Sequence, residues 1–150
     1  MSTLFLYYSN SGNGDVVAEY LREKGAEIRK VEPKKPLPKS FFWSVMTGGF
    51  LATIGHKSKL ADFDKDFEGF DRIVIGSPVW NGRVSCPINA LLSSVDFGEK
   101  PLSFVLYAGG GTAPKALARI AKEYPNAKAV VLKEPKKCGG ELTKTDVLFD

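Results

Sequence analysis

Short apolar runs alternate with amphipathic stretches along this chain. Residues 3–8 (Thr-Leu-Phe-Leu-Tyr-Tyr) predict a strand. Residues 13–24 place Val16, Val17, Tyr20 and Leu21 at helical spacing. Residues 26–31 predict a short second strand, and residues 72–76 (Arg-Ile-Val-Ile-Gly) a third, rich in β-branched side chains and buried on both faces. A helix follows over 87–95, with Pro87 at an early helical position. Residues 102–107 predict a fourth strand. Residues 113–123 repeat the helical spacing through Ala116, Leu117, Ile120 and Ala121, and residues 127–132 predict a fifth strand. Strand and helix alternating in one domain imply parallel strands joined by right-handed crossovers. The expected fold is therefore α/β, a doubly wound sheet with helices on both faces. Ligands of such sheets bind beyond the carboxyl ends of the strands, at the switch point.

Two segments lie outside this alternation. Residues 33–60 open with Pro33, Pro36 and Pro38 among lysines, an extended linker, and continue into the aromatic run Phe41-Phe42-Trp43. Phe42, Met46, Phe50 and Ile54 recur in four-residue steps across Gly48-Gly49. Residues 41–54 thus read as a helical segment: the second crossover helix, a lid near the ligand, or a homo-oligomer contact. The tail, 134–150, contains Pro135, Gly139 and Gly140 and predicts irregular structure that leaves one face of the edge strands uncovered. The whole of 1–150 is read as a single domain.

Three loops carry candidate chemistry. The first, Ser9-Asn10-Ser11-Gly12-Asn13-Gly14, leaves a strand and opens a helix. Small residues allow close backbone approach, hydroxyl and amide groups add donors, and the helix start favours an anion. The loop has no Lys or Arg, so neutral donors and the dipole would hold a phosphate. It matches neither the nucleoside-triphosphate loop nor the dinucleotide glycine pattern. The second, Gly76-Ser77-Pro78-Val79-Trp80-Asn81-Gly82, offers an indole or a rigid backbone wall to a planar ring. The third, Ala108-Gly109-Gly110-Gly111-Thr112, spends three glycines in a row, which suits close backbone approach to a ligand.

In this order and spacing the loops resemble the flavodoxin family and related small FMN proteins. Ser9 to Gly14 is similar to that family's hydroxyl-rich phosphate loop, Asp71 to Trp80 to its third strand and the loop beside the flavin, and Phe104 to Gly111 to the strand and glycine-rich loop that follow. The resemblance spans roughly residues 3–133. It implies a flavodoxin-like five-stranded parallel sheet of order 2-1-3-4-5. It implies non-covalent FMN, with its phosphate on loop one and its ring between loops two and three. The site set is then Ser9, Asn10, Ser11, Gly12, Asn13, Gly14, Ser77, Pro78, Val79, Trp80, Asn81, Gly82, Ala108, Gly109, Gly110 and Gly111. The chain departs from the family at Gly14, where a last hydroxyl is common, and in loop three, which lacks an aromatic to sandwich the ring. Tyr107 precedes that loop.

Composition adds the partner. The net charge is +4, where many electron-carrier flavodoxins are acidic. Residues 32–59 carry +4, residues 60–114 carry −3 and residues 115–150 carry +3. A basic docking face suits an acidic redox protein. No apolar run is long enough to span a bilayer, and nothing points to nucleic acid. The start Met1-Ser2-Thr3-Leu4 lacks a basic leader, and Cys86 and Cys138 have no C-x-x-C spacing, so a reducing, cytoplasmic setting without metal or disulfide is expected. His56, the single histidine, reads as a surface residue. The leading function is electron transfer through FMN. The alternative is an FMN-dependent NAD(P)H oxidoreductase acting on a quinone or other small acceptor. A phospho-receiver needs acidic residues where this chain has Ser9 and Ser77.

Overall fold

The computed structural model describes residues 2–34 and 59–149. Most of the linker and the aromatic helical segment, with His56 and the oligomer contact expected at 41–54, lie outside the described residues. The ends of that stretch meet: Pro33 and Leu60 form an antiparallel bridge, the Lys34 amide donates to the Lys59 carbonyl at 2.6 Å, and that of Ala61 to the Glu32 carbonyl at 2.9 Å.

The strands are β1 (Thr3–Tyr7), β2 (Glu27–Lys30), β3 (Arg72–Trp80), β4 (Arg83–Val84), β5 (Leu102–Ala108) and β6 (Lys128–Lys133). The helices are α1 (Asn13–Glu23), α2 (Cys86–Ser94) and α3 (Pro114–Glu123), and a run of 3-10 turns spans Gly139–Phe149. The long strands are parallel in the order β2-β1-β3-β5-β6. This is the expected doubly wound arrangement, with one addition: β4 pairs antiparallel with the end of β3.

Alternate residues of a strand face opposite sides of a sheet. Leu4, Leu6, Ile73, Ile75, Phe104 and Leu106 pack with Ile88 and Leu91 of α2 and Ala116 and Ile120 of α3. Phe5, Tyr7, Val74, Val105, Tyr107 and Leu132 pack with Val17, Ala18 and Leu21 of α1. The central strands are apolar at successive positions because both faces are covered. In α1 the buried stripe is Gly14, Val17, Ala18 and Leu21, with Val16 half-buried beside it.

Two expectations are corrected. The third strand runs on to Trp80 instead of stopping at Gly76, so most of the expected second loop is strand. Ser77 and Pro78 stay in register with Leu106 and Tyr107, and Val79 and Trp80 pair with Val84 and Arg83. Pro78 is tolerated because pairing to β1 ends at Gly76, so its missing N–H interrupts no rung to that strand. The tail is also more regular than expected. Its 3-10 turns pack Leu142, Leu148 and Phe149 onto the α1 face, and Arg72 Nη1 donates to the Leu148 carbonyl at 2.8 Å. The chain itself covers the face that the glycines seemed to leave bare.

Candidate functional site

Loops one, two and three leave the carboxyl ends of β1, β3 and β5, which are neighbours in the sheet. The chain turns one way from β1 to β2 and the other way from β3 to β5, so the switch point lies between β1 and β3.

Loop one is shaped by Ser9. Its hydroxyl is buried and accepts the amides of Gly12 at 3.2 Å and Gly14 at 3.1 Å. Gly12 caps α1 at φ +93°, a conformation that disfavours a side chain. No side chain caps this helix, and among the described residues the amides of Asn13 and Asp15 find no acceptor. Asn10 and Ser11 are exposed, and Asn13 Nδ2 lies 3.4 Å from Ser11 Oγ. The arrangement is a concave set of donors that an anion would satisfy.

The nearest carboxylate is already engaged. Asp15 Oδ1 accepts from Tyr7 Oη at 2.7 Å and from Lys30 Nζ at 3.1 Å. Burial works to raise the Asp15 carboxyl, but these hydrogen bonds and the charges of Lys30 and Lys136 outweigh it and hold it below its usual value. Tyr7 is pushed up by burial and by the same carboxylate.

Loop one also has a cation that its own sequence lacks. The amide of Lys136, in the turn after β6, donates to Asn13 Oδ1 at 3.0 Å across 123 residues of chain. The Lys136 ammonium then sits 3.5 Å from the Ser11 carbonyl, and a Cβ on Gly12 would meet Nζ at 3.1 Å. Nothing local in the sequence announces this approach.

The second loop is a tight hairpin between β3 and β4. Asn81 and Gly82 adopt φ of 51° and 78°, the paired positive values of the primed turns that join hairpins. Trp80 is 6% exposed, and its ring meets that of Tyr8 edge-on at 5.9 Å. So enclosed an indole leaves little of its face open. Ser77 is fully buried, and its Oγ accepts the Ser85 amide at 3.0 Å, pinning the N-cap of α2. That hydroxyl serves the fold. Pro78 is buried and Val79 half-buried. Arg83, opposite Trp80, has its Nε closed off from solvent, with no hydrogen-bond partner among the described residues.

Loop three joins β5 to α3. Gly109 and Gly110 are exposed, and a Cβ on either would meet nothing within 4 Å. Of the three glycines, Gly111 needs its identity: φ is +77°, and a Cβ would press on Lys133 Cβ at 3.1 Å. Ala108 is buried and accepts the Gly111 amide at 3.2 Å. Loops two and three are tied together, because the Ala116 amide of α3 donates to the Gly82 carbonyl at 3.0 Å. Tyr107 turns inward. It is buried and donates its hydroxyl to the Tyr8 carbonyl beneath Gly14. Free amides at loop one, the hairpin wall at loop two and open space at Gly109 and Gly110 together fit a phosphorylated planar group.

No curated protein matches the sequence at a significant level. Among solved structures, a protein from Bacteroides eggerthii DSM 20697 classed as a flavoprotein aligns with TM-score 0.78 at 18% identity, covering 99% of this chain and 98% of that one. A flavoprotein from Lactobacillus acidophilus NCFM, solved in complex with FMN, aligns with TM-score 0.72 at 21% identity, covering 93% and 97%. A flavodoxin from the domain Archaea aligns with TM-score 0.50 at 14% identity, covering 96% and 95%. At these identities the likeness shows the fold alone. The sequence itself matches the family model described as flavodoxin over residues 2–149, and this chain belongs to the flavodoxin family.

Proposed function

We propose that this chain holds FMN without covalent attachment and passes electrons between partner proteins. The phosphate would lie in Ser9 to Gly14, and the isoalloxazine ring between the Trp80–Asn81–Gly82 hairpin and the Ala108–Gly111 turn. The observation that carries this reading is the convergence of the three loops on adjacent strand ends at the switch point. Bound FMN would supply one- and two-electron redox chemistry. The chain's residues would orient it: Ser9 fixes the loop-one amides, and the Asn81-Gly82 turn sets the height of the hairpin wall. No helix among the described residues is long and apolar enough to cross a membrane, and the reading places the protein in the cytoplasm with an acidic redox partner.

The test is reconstitution. Purified protein titrated with FMN and with riboflavin should acquire a bound flavin absorbance band and bind FMN more tightly. Equal affinity for the two flavins would remove the phosphate role of loop one. Steady-state NAD(P)H oxidation by the reconstituted protein separates a carrier from a reductase. Slow oxidation without a protein partner supports the carrier, and rapid turnover with a quinone supports the oxidoreductase.

A further inference from the structure

We propose that Lys136 is the residue that selects the phosphorylated flavin, acting as a cation lent to loop one by the turn between β6 and the tail. The proposal rests on the FMN reading above and adds a specificity determinant to it. Three geometric facts meet at this residue. The Lys136 amide is anchored on Asn13 Oδ1 at 3.0 Å, so the backbone of the turn is fixed to the start of α1. Its ammonium lies over Gly12, 3.1 Å from where a Cβ would stand, and 3.5 Å from the Ser11 carbonyl. Among the described residues Lys136 forms no ion pair, whereas Lys30 and Lys137 are paired with carboxylates.

Charge decides what such a group prefers. Asp15 is the carboxylate that feels Lys136, and it is held by Tyr7 and Lys30. A phosphate dianion set among the loop-one amides would be a stronger partner for this ammonium than the Ser11 carbonyl it now meets. Riboflavin has no such group, so Lys136 gains nothing from it. Gly12 then has two reasons to be glycine: its positive φ, and the room that Lys136 needs above it. Asn13 acts on the phosphate through Lys136 as well as through its amide, which makes it a positioning residue for the cation.

The experiment measures dissociation constants of wild type, Lys136→Ala, Lys136→Gln and Lys136→Arg for FMN and for riboflavin, at two ionic strengths. Lys136 is exposed, so its removal should leave apoprotein stability in denaturant unchanged. Loss of a hydrogen bond to a charged group predicts that Ala and Gln weaken FMN binding about tenfold and leave riboflavin within about twofold. Arg should retain most of the preference, and added salt should weaken FMN binding more in wild type than in Lys136→Ala. Wild type that prefers FMN, with an equal preference in Lys136→Ala, overturns the role of Lys136 and leaves the cofactor reading standing. Wild type with no preference for FMN overturns both, and that outcome is visible before any variant is made.

Discussion

The phenol of Tyr107 occupies the space that a side chain at Gly14 would need. A Cβ built on Gly14 would lie 2.5 Å from Tyr107 Oη and 2.8 Å from Ser9 Cβ. The missing hydroxyl in loop one and the tyrosine before loop three are therefore one feature of the packing. Tyr107 reaches under the loop to the Tyr8 carbonyl, and only glycine fits above it.

That relationship predicts a coupled pair. Gly14→Ala overpacks a closed site and should cost about 1–3 kcal/mol of stability. Tyr107→Phe leaves the buried Tyr8 carbonyl without its donor and should cost about 1–2 kcal/mol. Removing the hydroxyl also makes room, so the double variant should be less destabilised than the sum by about 1 kcal/mol. Urea unfolding of the four proteins measures the coupling, and strict additivity would mean that the loop shifts freely away from Tyr107.

The two serines of loop one should separate by assay. Ser9→Ala strips the acceptor from two amides, one of them the buried Gly14 amide, and should lower apoprotein stability by about 1–3 kcal/mol. Ser11 is exposed and, among the described residues, its hydroxyl meets Asn13 Nδ2 alone, at 3.4 Å, so Ser11→Ala should leave stability unchanged. It should weaken FMN binding by about 1 kcal/mol, the usual size of a lost hydrogen bond. Unfolding curves paired with FMN titrations read both effects. An apoprotein destabilised by Ser11→Ala would contradict the division.

Trp80 lies at the end of β3 beside the proposed ring site, with its indole against Tyr8. Its fluorescence should be strongly quenched when FMN binds. Trp43 is the other tryptophan, so Trp43→Phe isolates the signal. Emission that is indifferent to FMN in that variant would make Trp80 a core residue with no part in the site.

Much of this architecture was legible in local patterns. Runs such as Ile73-Val74-Ile75 and the spacing of Ala116, Leu117 and Ile120 gave the elements, and the loops followed from their order. What escaped were features made by distant partners. The Asn13–Lys136 contact and the Gly14–Tyr107 fit join segments about a hundred residues apart, and no window of sequence contains both halves. The β4 hairpin was different, because Asn81-Gly82 between Val79-Trp80 and Arg83-Val84 is a hairpin signature. It was hidden by Pro78, which argues against a strand unless one side of that strand is known to be unpaired. The tail misled for a related reason: its glycines and proline signal irregularity, while Leu142, Leu148 and Phe149 gain their stability from the sheet they cover.

Alkaline pH should destabilise the fold through buried acids. Burial pushes the Cys86 thiol up from an ordinary 9.0 to about 11 and, as the largest of its causes, the Tyr8 phenol up to about 12. In each case the native state keeps its proton after the unfolded chain has lost it. The unfolded state then binds fewer protons, so stability holds below about pH 9 and falls as pH rises toward 11. A shift of this size corresponds to about 2–3 kcal/mol for Cys86. Cys86→Ala should lower stability near neutrality by removing buried volume, yet lose less on going from pH 8 to pH 11, on the order of the thiol's share. Chemical unfolding of both proteins across that range decides, and parallel curves would mean that the thiol ionises freely in the native state.

Partner choice follows from the lysines around the site. The side chains of Lys136, Lys115 and Lys133 lie against Gly12, Gly82 and Gly111, one beside each of the three loops. The basic residues that the sequence concentrates in 115–150 are thus partly gathered at the rim of the proposed flavin cleft. A rim of this sign should speed encounter with an acidic redox protein. It should also make the flavin potential less negative than in an acidic relative, because nearby positive charge favours the form that has gained negative charge. Raising ionic strength from about 0.01 M to 0.15 M shortens the screening length from roughly 30 Å to 8 Å. Electron transfer to an acidic acceptor should slow steeply over that range, and Lys115→Ala with Lys133→Ala should flatten the dependence. Stopped-flow reduction of the acceptor measures it. A rate that is flat or rising with salt in the wild type would show these lysines to be ordinary solvated surface, with the partner docking elsewhere.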